Sequence, residues 1–461
     1  MFGKLIGTFK GFRYVQTVFL FLSIVYSNFS EKNVTIAIVE MTNMNSTDIK
    51  NAHFDWAPDE KQYVLSSFYI GFILFHIPGG YLAKRFGSKN LSFIAIFGSS
   101  SLNLIIPVLV KYGGWQVFMG VRLIQGFLQA LILPSCLEHL MNWVPKQEEN
   151  IHTTLCFSGF DFGTTLGIGI AGAISASSLG WPFVFYVTGA MGLTWSLGWI
   201  IIASNSPLTS KYLSTKEQDY IFANQTGKNL GNTDIPWKSI LTSLPCIAVF
   251  VSYTSIFWGY LTMICETSIY LNAVFKFDAD NNTLISALPN GLCYTTGLIS
   301  IFISEFLMRK NYLSVRKVRI LLNCFGMFLP ALIFIALAFI TSNDTNLAIG
   351  LIIACIGLMG PVQYGCGVAM IDIAPNFASV IIGIQMALAS IPGFVVPVVV
   401  SLILGDEEQD LLKWRIVFLL SAGIVIFGNI IFILFGSSKE AEWNAPKAKD
   451  VKDGNEIGNK S

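Results

Sequence analysis

Arg122, Gln125, Gly126 and Gln129 recur at i, i+3, i+4 and i+7 in a stretch apolar enough to cross a bilayer, so on a helix they form one polar stripe. An arginine at that depth costs about 2.5–3.5 kcal/mol on insertion scales, so it must face a wet cavity or a partner. The stripe carries no acid, which favours an anion-binding arginine on a transport path over a structural ion pair. Glu31 and Lys32 are adjacent in the first apolar stretch, about 100° apart on a helix. Two readings stand for them. They neutralise each other, with Lys32 able to join Arg122 in a two-cation anion site, or the first span is broken and both lie near the outer interface. A lysine is a point charge and an arginine a planar fork, so phosphate or carboxylate suits either. Asp161 lies in the apolar run Ser158-Gly-Phe-Asp-Phe-Gly163. A buried carboxyl holds its proton unless a cation is near, so Asp161 is either a proton carrier or the fixed partner of Arg122. His76 is a third ion-coupling candidate beside Glu31 and Asp161, although a lone histidine on an apolar helix is more often a packing residue. Gln129, Tyr260 and Trp258 complete the candidate substrate-binding set, the two aromatics competing with a simple core role.

The elements that must position these side chains are helices in a bilayer. The 461 residues are 53% hydrophobic and only 12% charged, with a mean hydropathy of +0.61, where a soluble chain carries about 25% charged residues. A net charge of +1 with no basic domain excludes nucleic acid as a partner. The eight cysteines lie in or beside apolar segments without metal-ligand spacing and read as small hydrophobes. No metal site, cofactor or nucleophile–base pair is expected, which leaves an enzyme without a catalytic constellation.

Twelve spans are read, at about 15–41, 61–83, 91–110, 115–142, 151–175, 182–203, 241–268, 284–307, 318–340, 346–370, 377–404 and 415–436. The first, behind Lys4, Lys10 and Arg13, lacks a small-residue cleavage site and is taken as a span, not a signal peptide. Of the 29 Lys and Arg, only Lys50, Lys61, Lys111, Lys276, Lys413 and Arg415 fall on the side opposite the N-terminus. That asymmetry puts both termini in the cytoplasm. Of the sequons on the opposite side, Asn45-Ser-Thr is the expected glycosylation site, ahead of Asn281 and Asn343. A polar interruption at 204–240, with a helix-start signal at Ser214-Thr-Lys-Glu, divides the chain into bundles at 1–203 and 241–436, followed by a disordered tail at 437–461. Two six-helix halves with a cytoplasmic connection are the plan of a parallel two-bundle transporter. Glu138 and His139 are expected to be solvated at the end of span four, and Asp372 to start a helix or form a gate.

After span two comes Gly80-Tyr-Leu-Ala-Lys-Arg-Phe-Gly-Ser-Lys89. It resembles the major facilitator loop G-x-L-A-D-R-x-G-x-K, with Gly80, Arg85, Gly87 and Lys89 in place and Lys84 where the family has its acid. Phe54-Asp-Trp56, Arg122-Leu-Ile-Gln-Gly, Trp143-Val-Pro145, Gly180-Trp-Pro-Phe, Glu217-Gln-Asp-Tyr-Ile221, Trp258-Gly-Tyr and Asp372-Ile-Ala-Pro375 follow in order. Together they resemble the anion:cation symporters of the major facilitator superfamily: sodium-phosphate, sialic acid and vesicular glutamate transporters. The style is most similar to the insect branch labelled inorganic phosphate cotransporters.

The resemblance implies an all-α membrane protein of twelve transmembrane helices in two bundles. It implies a carrier of small anions such as phosphate or carboxylates, coupled to Na⁺ or H⁺, alternating around a midplane site, with Arg122 as the substrate's partner. The expected setting is a plasma or endolysosomal membrane, with the chain functional as a monomer in the lipid bilayer. Departures sit at the site itself. The fourth-span glutamate of relatives is Gln129, the first-span arginine is replaced by Glu31-Lys32, the seventh-span Asn-Trp-Gly is Phe257-Trp-Gly, and a fifth-span glutamine is Asp161. They motivate an alternative, a transport-degenerate member acting as a ligand-binding receptor or scaffold.

Overall fold

A computed structural model describes residues 11–42, 53–175, 177–224, 235–275, 283–341, 344–405, 407 and 409–444. Among the described residues there are helices and turns and no strand, which is what backbone groups in hydrocarbon require. The first half contains α1 (Phe12–Met41), α2 (Pro58–Phe86), α3 (Ser88–Gln129), α4 (Ile132–Trp143), α5 (Glu149–Phe157), α6 (Gly159–Ser175) and α7 (Trp181–Ile202). Two short helices follow, α8 (Thr215–Ala223) and α9 (Trp237–Thr242). The second half contains α10 (Leu244–Phe275), α11 (Thr283–Arg309), α12 (Val315–Ala338), α13 (Thr345–Gly357), α14 (Ala369–Ile373), α15 (Ala378–Ser390), α16 (Pro392–Leu404) and α17 (Leu411–Phe435). Ten stretches are long and apolar enough to cross a membrane. One of them, Ser88–Trp143, turns at Gly114 (φ 62°) and makes two passages. With α1, which is richer in polar residues, that makes twelve.

Four spans expected to be continuous are broken. The fourth turns at Ala130–Leu131 ahead of Pro134, and the fifth breaks at Ser158. The tenth stops at Gly357, passes through a 3-10 turn at Gly360–Tyr364 and resumes at Ala369. The eleventh breaks before Pro392, whose ring has no N–H to continue a helix. A glycine or proline lies at or near each break, Gly159 directly after Ser158 in the fifth span.

Within the first half α2 packs on α3, and α1 on α6 and α7; within the second, α17 packs on α10 and α12, and α11 on α13. Apolar side chains such as Leu197, Ile201 and Leu402 point outward, while polar groups turn inward. Asn103 Nδ2 donates to Ser30 (3.0 Å) and Gln125 Nε2 to Asn103 Oδ1 (3.0 Å) in the first half. Asn323 Nδ2 donates to Asn429 Oδ1 (2.9 Å) in the second. Such interhelical bonds contribute about 0.6 kcal/mol each in lipid and chiefly fix register. The halves meet where α2 and α4 contact α15, and where α6 contacts α11.

Candidate functional site

Between the halves lies a cavity with about 970 Å³ of empty space, part of it continuous with solvent. The first, second and fifth spans wall one side, and the seventh, eighth, tenth and eleventh the other. Asn28, Glu31 and Lys32 project from α1 at i, i+3 and i+4. Opposite them Tyr253, Phe257 and Tyr260 repeat the same periodicity on α10. The break in span ten brings Gly360 and Gln363 to the wall.

Lys32 Nζ lies 2.6 Å from Glu31 Oε1, and Tyr69 donates its hydroxyl to the same oxygen at 2.9 Å. Since α1 runs unbroken to Met41, the pair sits inside the first span rather than at a broken end, neutralised and facing the cavity. Asp161 faces the cavity from α6. The Cys293 thiol donates to its Oδ1 at 3.5 Å. No ion pair joins it to Arg122 among the described residues. Tyr260 also lines the cavity and donates to Asn290 Oδ1 at 3.0 Å.

The stripe on span four is placed differently. Arg122 is 2% exposed and lies inside the first half, behind the cavity wall. Its Nη1 donates to Gln125 Oε1 (3.1 Å), its guanidinium carbon lies 4.5 Å from the centre of the Phe68 ring, and its Nε has no partner. Glu31 and Tyr69, both on the wall, are within its electrostatic reach. Gln129 is away from the cavity: its amide nitrogen donates to Ser30 and Ser99, and its oxygen accepts from Ser27. Trp258 donates to Ser421 on α17 at 3.2 Å and packs on the second-half core. His76 is fully buried, with Nδ1 3.1 Å from the Phe72 carbonyl and Nε2 without a partner. The close approach of Gly383 on α15 to the His76 backbone puts it in the contact between halves, not on the cavity wall.

On the face where Gly11 and Asn444 lie, direct contacts between the halves form a seal. A Cβ on Gly80 would sit 2.6 Å from the Ser379 carbonyl oxygen, so only glycine lets α2 and α15 touch there. Lys84 donates to the Asn376 carbonyl (3.0 Å) and lies 4.3 Å from the centre of the Phe377 ring. The lysine in the acid's place therefore caps the loop of the other half. Ser379 donates to Glu138 at 3.0 Å. Asp372 pairs with Arg319 (2.9 Å), whose Nη1 donates to the Tyr364 carbonyl at 2.9 Å. Gly87 holds φ at 85° beside Asn205, which accepts from the Lys89 backbone N–H at 2.9 Å, while Arg85 bonds Tyr81 at the exposed surface. The chain after α17 crosses the same loop: Ala441 N–H donates to the Ile373 carbonyl, and Asn376 N–H to Asn444 Oδ1 (3.0 Å).

Of the two residues expected to be solvated, Glu138 is half-buried and His139 is not solvated. His139 is fully buried, stacks on Trp143 with ring centres 5.7 Å apart, and contacts Ser88 and Gln16. Close by, Arg13 Nε lies 2.7 Å from Glu148 and Nη1 2.8 Å from Glu217, which also accepts from the Phe12 backbone. Burial pushes the Glu148 carboxyl up, but the His152 ring, Arg13 and the Tyr220 hydroxyl outweigh it and hold it down at about 2. The helix signal at Ser214 is realised, its hydroxyl accepting from Glu217 N–H, and α8 clamps the base of α1. Asn45, Asn281, Asn343 and the tail beyond Asn444 lie outside the described residues.

Sequence reasoning missed Tyr69, Phe72, Phe160, Tyr253, Gln363 and Ser390 as cavity residues. The Asn28–Glu31–Lys32 and Tyr253–Phe257–Tyr260 spacings were a usable signal, two facing stripes of one period. Ser390 and Gln363 carry none, because only the helix breaks turn them inward.

The Major Facilitator Superfamily family model matches residues 20–397. Vesicular glutamate transporter 3 of Danio rerio is 30% identical over 428 residues, covering 90% of this chain and 71% of its own length. Vesicular glutamate transporter 1 of Xenopus laevis is 29% identical over 447 residues, 94% of this chain and 76% of the relative. A protein of Drosophila ananassae named "Putative inorganic phosphate cotransporter" is 27% identical over 456 residues, 94% of each chain.

Proposed function

Because this chain belongs to the major facilitator superfamily, we propose that it is a secondary active transporter of a small organic or inorganic anion, coupled to Na⁺ or H⁺, working by alternating access. Its relatives are named as transporters, of glutamate in one group and inorganic phosphate in the other, both anions. The observation that carries the reading is the cavity between the halves, where Lys32 faces the open space with Arg122 and its unpartnered Nε behind the wall. A solute carboxylate or phosphate competing with Glu31 for Lys32 would release that pair. Asp161, which has no ion pair among the described residues, takes a proton in step with the anion. Lysine and arginine asymmetry puts the sealed face and both termini in the cytoplasm, which makes the sealed form the one that loads from the opposite side. The setting is a vesicle or plasma membrane and the working unit a monomer, since both walls of the cavity come from one chain.

Counterflow of labelled glutamate and phosphate in proteoliposomes, with and without Na⁺ and at two pH values, tests this. Exchange stimulated by Na⁺ or by an inward proton gradient is expected. Binding without flux of any anion overturns transport in favour of the receptor reading.

A further inference from the structure

Hydrogen-bond donors in the cavity discriminate between kinds of anion. Inorganic phosphate presents four oxygens and nearly two charges at neutral pH, and sites that hold it converge several charge-assisted donors on it. This wall does not offer them. Five of its hydroxyls already donate to the protein: Tyr69 to Glu31, Tyr253 to Gln363 Oε1, Tyr260 to Asn290, Thr164 to the Phe160 carbonyl and Ser390 to the Met386 carbonyl. Asn28 has one N–H committed to the Ile24 carbonyl. What remains is the Lys32 ammonium, one of whose three N–H bonds is engaged by Glu31, and amide N–H groups of Gln363 and Asn28. That supply matches the two oxygens of one carboxylate.

The charges agree with the donors. Lys32 faces the space alongside two carboxyls, Glu31 and Asp161, so the lining holds no surplus of cations for a dianion. The rest of the wall is apolar and aromatic: Phe72, Phe160 and Phe257, with Ile256, Leu261 and Met386 between them. Bare rings around the space gain contact only if the cargo brings apolar surface, worth about 25 cal/mol per Å² buried.

We infer that the cargo is an amphipathic monocarboxylate, its carboxylate on Lys32 and its aromatic or branched body against Phe160 and Phe257, rather than inorganic phosphate. The inference rests on the transport reading and narrows its substrate class. Phe160 and Phe257 come from opposite halves, so a bulky body touches both sides of the moving seam at once, as phosphate would not.

Counterflow with the full chain in proteoliposomes, using labelled 3-phenylpropionate and labelled inorganic phosphate as probes, is the test. Phenylpropionate is expected to exchange, and a large excess of unlabelled phosphate to leave that exchange nearly intact. F160A and F257A should each lower phenylpropionate exchange about tenfold, and F160L and F257L, which keep apolar bulk, should retain most of it. Phosphate counterflow that phenylpropionate does not inhibit overturns this inference and leaves anion transport standing. No counterflow of any anion overturns both. Unchanged phenylpropionate exchange in F160A and F257A also overturns the inference, whereas exchange lost in the leucine variants with an unchanged melting temperature counts against the apolar seat.

Discussion

The sealed face and the cavity are built from opposite materials. At the seal, side chains of one half bond main-chain oxygens of the other, as Lys84 does with Asn376, and backbone touches backbone at Gly80 and Ser379. In the cavity the halves face each other across rings and one internally neutralised ion pair, with few free donors. The seal is held by many small contacts, and the Lys146–Glu440 ion pair among them is exposed. A site that must release its cargo presents one charge whose partner is already in place. The difference teaches where each region is fragile: the seal to added bulk, the cavity to lost charge.

The largest effect is expected at Gly80. In Gly80→Val, the new Cβ meets the Ser379 carbonyl at 2.6 Å and the Val380 Cα at 2.7 Å, backbone that cannot rotate away. An opposing 2–3 kcal/mol would deplete the sealed form roughly 30–150-fold, and exchange should fall accordingly. Alkylation of a Ser379→Cys reporter from the sealed face should rise in the same background. Because Gly80 is in a helix interior, the substitution also improves local helix propensity. A falling melting temperature without a change in alkylation would show that the contact is a fold contact and not a seal.

Next comes the ion pair in the cavity. Lys32→Gln leaves the Glu31 carboxylate with Tyr69 alone and removes the charge that meets the solute. Exchange should become undetectable, and stability should fall because one partner of a largely buried pair is left uncompensated. The double variant Glu31→Gln/Lys32→Gln should recover the stability without recovering exchange. Recovery of both would mean that the pair holds the helix and that the cargo is bound elsewhere.

How far the sequence could be read differs between these regions in the same way. Twelve passages followed from hydropathy, because the bilayer imposes length on each span independently of the others. The loop from Gly80 to Lys89 was legible as a motif, and it lies at the seal as motif glycines and cations should. Arg122 drew attention because a charge in an apolar run is conspicuous, yet Gln129 on the same stripe is tied to Ser30 and Ser99 inside one half. One face of a helix can point into a bundle without reaching the space between bundles, and periodicity does not separate the two. Lys32 was ambiguous because an adjacent acid and base read equally as a helix end. Gln363 could not be found, since its position depends on the helix of span ten stopping at Gly357.

A smaller, acid-dependent effect is expected outside the membrane-spanning segments, where the base of α1 is clamped. Glu148 is held at about 2, below its ordinary value of 4.5. A carboxyl whose pKa is lowered by folding stabilises the fold above its unfolded value, and that contribution drains away as pH falls from about 4.5 toward 2. The melting temperature of the wild-type protein in detergent should drop across that window. In Glu148→Gln the drop should be shallower, with stability at neutral pH reduced by about 1–3 kcal/mol. Exchange at neutral pH should change little, since neither the cavity nor the Gly80 contact is touched. A Glu148→Gln protein as steep in acid as the wild type would reassign the acid sensitivity to another carboxyl.

The weakest link across the seal is the one drawn most easily. Lys146 and Glu440 join the halves by an ion pair at 3.4 Å, but their side chains are 56% and 49% exposed. An exposed pair contributes about 0–1 kcal/mol and is screened by salt. Lys146→Ala should therefore lower exchange less than twofold at physiological salt and have no effect at high salt. The neighbouring main-chain bond from Ala441 to the Ile373 carbonyl, together with the Asn376–Asn444 bonds, belongs to a strip that salt does not reach. Asn444→Ala removes the acceptor of the Asn376 N–H and should loosen the loop by about 1 kcal/mol, seen as Ser379→Cys alkylation that is faster and insensitive to salt. If Lys146→Ala matched Asn444→Ala in size, and its effect faded with added salt, the seal would be electrostatic in origin and its contrast with the cavity would disappear.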